Sequence, residues 1–234
     1  MKLVKINNSL IKLNNKCIGY TGPYVPPVYD TQYLKFTYDG QIMHDKLHSV
    51  ITNKGYSAVD DGEYVVCLID NAIDYVSFGN SIKQSDGYYG CADWYLPNVT
   101  STTGLFEWTP LTSIPDNFSG LSATKNLGRA FNCLQTQGAG LREVKSFDGL
   151  INVENFEYAF YQNQYTISYP TAFAPETFQK CSQFYGAFEG NTASNNMVPF
   201  AEHCNSACTA SYVNKQTGLY SCPDMEAYNA LGWS

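Results

Sequence analysis

The alternation of apolar and polar positions changes character along the chain. Val4-Lys5-Ile6-Asn7-Asn8 is echoed seven residues later by Ile11-Lys12-Leu13-Asn14-Asn15. Each copy interleaves apolar residues with lysine and ends in Asn-Asn, a pair that tolerates positive φ and suits tight turns. The spacing predicts two or three short strands in a meander over residues 1–20, too small a unit to be stable without a partner. Gly22-Pro23-Tyr24-Val25-Pro26-Pro27-Val28 then reads as an extended, semi-rigid linker, residues 21–30. Residues 31–80 read as a β-rich region. Tyr33–Tyr38, Glu63–Ile69 and Ile73–Phe78 are apolar, β-branched or aromatic runs between Gly, Asn and Asp. Gln41–Thr52, lying between them, has the period of a helix of about three turns.

Beyond residue 80 the pattern repeats. Phe118-Ser-Gly120-Leu121, a short spacer, then Asn126-Leu127-Gly-Arg-Ala130-Phe131 recurs without a gap as Phe147-Asp-Gly149-Leu150, the same spacer, then Asn155-Phe156-Glu-Tyr-Ala159-Phe160. A third copy, at nearly the same interval, ends in Gln183-Phe184-Tyr-Gly-Ala187-Phe188. Weaker echoes lie at Tyr88–Cys91, Gly104–Phe106 and Gly218–Cys222. A period between about 20 and 50 residues is the signature of a stacked solenoid, whose units cannot bury an apolar face alone. Stacking would set Phe131, Phe160 and Phe188 in an internal aromatic ladder, with Leu127, Phe156 and Phe184 beside it. Ala130, Ala159 and Ala187 would sit where neighbouring turns press together, and Asn126 and Asn155 would bond backbone at the corners. The expected fold class is mainly β with short helices: an irregular solenoid over residues 81–234, preceded by the β-rich region and the N-terminal β arm.

Composition narrows the class. The 234 residues are 44% apolar and 15% charged, a balance that supports a sizeable core and opposes intrinsic disorder. No apolar run approaches the ~20 residues of a bilayer span, and Lys and Asn interrupt the N-terminus before a signal-peptide core can form. The mature chain is therefore expected to begin at Met1. A net charge of −7 disfavours binding to a nucleic-acid backbone. Residues 1–29 carry Lys2, Lys5, Lys12 and Lys16 and no acid, so the remainder holds a charge of −11. Such a basic arm docks on something negative, packs on its own acidic body, or is simply solvated. The eight cysteines, Cys17, Cys67, Cys91, Cys133, Cys181, Cys204, Cys208 and Cys222, read as buried, mostly reduced thiols, because a chain this large needs no staples.

Candidate chemistry is sparse. His44-Asp45-Lys46-Leu47-His48 puts two histidines at i and i+4 on one helix face, which is zinc-ligand spacing and nearly the H-E-x-x-H of zinc proteases. Asp is one methylene shorter than the Glu that must reach a metal-bound water, and His203 is the only other histidine. Two partly exposed helix histidines are the plainer alternative. His203, Cys204, Cys208 and Cys222 form a second metal-like set, with buried thiols or a Cys204–Cys208 disulfide as alternatives. Phosphate-binding loops, dinucleotide fingerprints and nucleophile elbows are absent from the sequence. The sequence thus assigns no catalytic, cofactor-binding or metal-ligating residue and implies no cofactor. Tyr24, Tyr29, Tyr161, Tyr165, Tyr169, Tyr185, Tyr212 and Tyr228 exceed what the ladder needs. They either form a contact surface for protein or sugar or cap the core with the hydroxyl outward.

Tyr88-Tyr-Gly-Cys91, Leu111-Thr-Ser-Ile-Pro115-Asp-Asn-Phe118 and Asn155-Phe-Glu-Tyr-Ala-Phe-Tyr161 resemble BspA-like leucine-rich repeats over about residues 82–222. Asn163–Pro170 and Asn191–Pro199 depart from that pattern and read as loop insertions. The resemblance implies a non-catalytic role in adhesion and in protein or glycan binding. The N-terminal arm and its Pro-rich linker are similar to virion proteins of phages that infect gut Bacteroidetes, including crAss-like phages.

Together these readings lead to one expectation: a non-enzymatic phage virion structural protein, such as a head or tail fibre, decoration or adaptor component. Its arm would bind other virion structural proteins, and its body would meet protein or a host surface glycan. A homo-oligomer in the virion is expected, with no nucleic-acid partner and no membrane insertion. The alternatives are a bacterial cell-surface adhesin of BspA type and, third, a glycan-degrading fibre enzyme.

Overall fold

The computed structural model describes residues 29–132, 140–163, 169, 170, 172 and 174–188, and the backbone of residues 4–6 and 9–11. The chain divides into two compact units, Met1–Asp30 and Thr31–Ser234. In the first, β1 (Val4–Ile6) pairs antiparallel with β2 (Ser9–Ile11), Val4 opposite Ile11. This is the hairpin expected from the Asn-Asn echo. A third strand of that meander, and the linker up to residue 28, lie outside the described residues.

Among the described residues the second unit is mainly β, with one α-helix and a four-stranded antiparallel sheet. Its strands are β3 (Gln32–Tyr38), β4 (Ser57–Asp61), β5 (Tyr64–Ile69) and β6 (Tyr89–Tyr95), in the order β4-β5-β3-β6. Alternation builds β3: Gln32, Leu34 and Phe36 are buried while Tyr33, Lys35 and Thr37 are half-buried on the other face. Leu34 and Phe36 face Cys67 and Val65 across the ladder to β5. Because β6 pairs with β3, residues on both sides of position 80 belong to one sheet. The expected division there is therefore crossed by backbone hydrogen bonding.

Helix α1 (Gly40–Asn53) forms where the 3.6-residue period placed it, burying Met43, Leu47, Val50 and Ile51 along one stripe. It ends in a Schellman motif: Tyr56 N–H donates to Ile51 C=O and Gly55 N–H to Thr52 C=O, with Gly55 at φ +82°. Ile73–Phe78, expected as a strand, is not one. It carries a single parallel bridge from Tyr75 to Ser101, the first of a series running Ser101–Asn126, Asn126–Asn155 and Asn155–Gln183.

Those bridges follow the spacing of the sequence echoes, each joining one segment to the next. Around each, backbone bonds recur in register. Thr102, Leu127 and Phe156 donate to the carbonyls of Asn126, Asn155 and Gln183, and Phe106, Phe131 and Phe160 to those of Ala130, Ala159 and Ala187. Asn126 and Asn155 fill the corner role expected of them, each accepting through Oδ1 from the backbone two residues on, Gly128 at 3.0 Å and Glu157 at 2.8 Å. Gly104, Arg129, Tyr158 and Gly186 stand three residues after the bridge residue in successive segments. All four are left-handed, with φ between +54° and +63°.

The aromatic ladder is present. Phe131 stacks on Phe160 at 4.9 Å and Phe160 on Phe188 at 5.8 Å, while Phe156 meets Phe184 at 5.2 Å. Ala130, Ala159 and Ala187 are fully buried. One apolar cluster runs from Leu34 to Phe188. Phe36 joins the sheet to the ladder through edge contacts with Phe78 at 5.7 Å and Phe106 at 6.1 Å.

Candidate functional site

The two histidines of α1 project from one turn of helix to the next, and their rings lie 4.7 Å apart. The third member of their cluster is Asp60. His44 Nε2 lies 3.0 Å and His48 Nε2 2.7 Å from Asp60 Oδ1, and the three donor atoms lie within 4.8 Å of one another. Asp60 stands on β4, at the edge of the sheet beside the helix, while its neighbour Asp61 turns to the opposite face and pairs with Lys35 Nζ at 2.8 Å. The other nitrogen of His44 is held as well. Nδ1 donates to Asp45 Oδ1 at 2.9 Å, and Gln41 Nε2 donates to the same oxygen at 2.6 Å. The edge of Tyr38 packs on the His44 ring at 5.1 Å.

These contacts polarise the cluster. The hydrogen bond to Asp45 leads in raising His44 above its ordinary value; desolvation opposes it and Asp60 reinforces it. Burial pushes Asp60 up, but the bonds and charges of His48 and His44 outweigh that and hold it below the ordinary carboxylate range. Asp45 is lowered by its bonds from His44 and Gln41. Two imidazoles and one carboxylate on one point form a donor set suited to a first-row transition-metal dication. Sequence reading found the two histidines and missed Asp60. The signal was there: Asp61-Gly62 ahead of an apolar run marks a hairpin, and its first strand is β4. His203, the third histidine, and Cys204, Cys208 and Cys222 lie outside the described residues, as do Cys17 and Cys133. Cys67, Cys91 and Cys181 are buried thiols.

A second locus lies on the ladder's outer surface. Glu107 Oε1 is 3.7 Å from Arg129 Nη1, and the Arg129 guanidinium sits 5.5 Å from the Tyr158 ring centre. Tyr158 in turn meets Tyr185 at 5.2 Å and Tyr161 at 5.3 Å, both edge-on. Arg129 and Tyr185 are exposed, and Tyr158 and Tyr161 half-buried. Of the tyrosines expected outside, Tyr161 and Tyr185 join this row and Tyr29 is half-buried. Tyr169 is a correction: it is 3% exposed, because the rings of Phe147, Phe160 and Phe188 enclose it. Tyr24, Tyr165, Tyr212 and Tyr228 lie outside the described residues.

Beside β6 an open cleft of about 550 Å³ is lined by Thr37, Asp93, Trp94, Ser113, Asp116 and Asn117 among others. Its wall brings together Tyr89–Cys91 and Leu111–Ser113. Tyr89 bridges Leu111 in parallel, Cys91 N–H donates to Ser113 C=O, and Thr112 N–H to Tyr89 C=O. A Cβ at Gly90 would lie 2.1 Å from Ser113 Oγ and 2.6 Å from Thr37 Oγ1, so a larger residue at this crossing needs both hydroxyls to turn away. Comparisons with protein-family models, curated proteins and solved structures return no match.

Proposed function

We propose that this chain is a non-enzymatic virion structural protein of a phage, a fibre, decoration or adaptor component with an N-terminal anchor and a repeat body. The observation that carries the reading is the division at Asp30: the basic N-terminal segment is a compact unit of its own, with its own hairpin. A two-stranded hairpin is marginal alone in water, so a unit of this kind gains its stability from a partner surface. Its four lysines suit an acidic one, whether on another virion protein or on a second copy of this chain.

In this proposal residues 81–234 form a BspA-like solenoid. The parallel bridges, the recurring donor–acceptor pairs and the column of left-handed residues support that reading, because each recurs once per sequence repeat. The Glu107–Arg129–Tyr158–Tyr185 row supplies a contact surface: rigid aromatic area with a charged end suits protein, and the same rings stack on sugars. The cleft beside β6 adds carboxylates and hydroxyls that can bond sugar hydroxyls. A surface adhesin of BspA type is the second reading, favoured by the parallel pairing of Tyr89–Cys91 with Leu111–Ser113.

Deleting residues 1–29 tests the anchor. Particles assembled with the truncated chain are expected to lack it, while the truncated chain in solution keeps the circular dichroism and cooperative unfolding of its body. Incorporation of the truncated chain at the level of the intact one would overturn the anchor role.

A further inference from the structure

We infer that His44, His48 and Asp60 form a binding site for a zinc-class divalent ion that fastens α1 to the edge strand β4. The inference is independent of the virion reading and rests on geometry. Two imidazole nitrogens lie 3.0 Å and 2.7 Å from one carboxylate oxygen. Bonds of about 2.0–2.1 Å at a tetrahedral ion place donor atoms about 3.3 Å apart; the two imidazole nitrogens and the carboxylate oxygen lie within 4.8 Å of one another, so an ion can enter with modest rotation of side chains that reach solvent. The histidines sit at i and i+4 on a regular helix, and the third ligand comes from a strand 12 residues after His48, so the site spans two elements.

The surroundings also fit. A histidine that binds metal through Nε2 commonly donates its Nδ1–H to a carboxylate, which fixes the ring and its tautomer. Asp45 already holds His44 Nδ1 in this way, and Gln41 steadies Asp45. Hard cations such as Mg²⁺ and Ca²⁺ prefer all-oxygen sets, whereas two imidazoles and one carboxylate select Zn²⁺, Co²⁺ or Ni²⁺. Binding expels the Nε2 proton of His44 and any proton on His48 Nε2, leaving two neutral imidazoles and one carboxylate on the ion. Three protein ligands leave at least one position for water or for a donor from a partner. Because β4 is the outer strand of its sheet, the ion would tie down an edge that otherwise has one paired neighbour.

Chelator-treated full-length chain is dialysed against Zn²⁺ at about neutral pH, and bound metal is counted beside His48→Ala, Asp60→Asn and Asp45→Asn. The side chains of His44, His48 and Asp60 reach solvent, so these variants are expected to keep the native circular dichroism. His48→Ala and Asp60→Asn should each bind one equivalent less than the intact chain. Asp45→Asn should keep the stoichiometry and bind about 10–100-fold more weakly. Zn²⁺ should raise the unfolding midpoint of the intact chain and of neither ligand variant. Binding of equal metal by the intact chain and Asp60→Asn would overturn the site and place any ion at other residues. So would the absence of binding by the intact chain.

Discussion

Phe131 and Phe160, at matching positions of the sequence repeat, stack with ring centres 4.9 Å apart and planes 18° from parallel, while Phe131 N–H donates to the carbonyl of Ala159 at 2.8 Å. Side-chain and backbone registers therefore coincide: the residue that fills the core also closes the rung. Truncating Phe160 removes contacts with Phe131, Phe147, Phe156, Tyr169 and Phe188 together. Phe160→Ala is expected to cost about 3–5 kcal/mol in urea unfolding, and Phe160→Leu about 1–2 kcal/mol, because leucine keeps most of the volume and loses the stack.

The left-handed column gives a sharper test of the repeat. Arg129 holds φ +57° at the position that Gly104 occupies in the preceding segment and Gly186 two segments further on. Its ion pair with Glu107 is 3.7 Å long and more than half exposed at the arginine end, so it contributes little. Arg129→Gly is expected to change stability by less than about 0.5 kcal/mol, since backbone relief offsets the lost contacts. Arg129→Val, β-branched in the same conformation, should cost about 1–2 kcal/mol. Chemical denaturation of the two variants side by side checks both.

The His44 cluster without metal should leave a pH signature. His44 is raised above its ordinary 6.5, so its contribution is complete below that value and fades as pH rises through the folded value. Asp60 is lowered below its ordinary 3.8, so its contribution is present above that value and fades as pH falls through the folded one. The cluster should therefore stabilise most between about pH 4 and 6.5. The groups reach solvent and are screened, so His44→Ala should shift the thermal midpoint at about pH 5.5 by at most about 1–2 °C, less at about pH 8.5 and less again in about 0.5 M salt.

The thiols should be inert in the folded state. Burial pushes the Cys67 and Cys91 thiols well above their ordinary range, so neither is a thiolate at neutral pH. Cys181 is equally buried, its Sγ within 3.6 Å of the Glu154 carbonyl. Alkylation mapped by mass spectrometry is expected to leave all three unmodified at neutral pH and to label them in concentrated guanidinium.

The stacked phenylalanines and the bonded asparagines were legible because the sequence around them repeats. Phe131, Phe160 and Phe188, the alanines before them and the corner asparagines recur at nearly constant spacing, and that spacing is their placement in space. The α1 stripe was readable for the same reason. What periodicity does not carry was missed. Ile73–Phe78 has the composition of a strand but meets its neighbour through one bridge and scattered backbone bonds, such as Phe78 N–H to Leu105 C=O, rather than a continuous ladder. β4 holds two aspartates in five residues, so its apolar content is too low to register, and with it Asp60 was lost to the candidate site. Tyr169 looked like a surface tyrosine because sequence cannot tell which of many aromatics three phenylalanines will enclose. The left-handed conformation of Arg129 and Tyr158 was hidden by side chains that rarely adopt it, although glycine at the equivalent positions carried the hint.

Position in a particle is the claim on which the proposed function turns. Density-purified phage particles and membranes of uninfected host cells, blotted with an antibody raised against residues 82–234, address it directly. Signal that co-sediments with the particles and is absent from the membranes is the expected result. Signal confined to the membranes would contradict a virion role and make the chain a cell-surface adhesin.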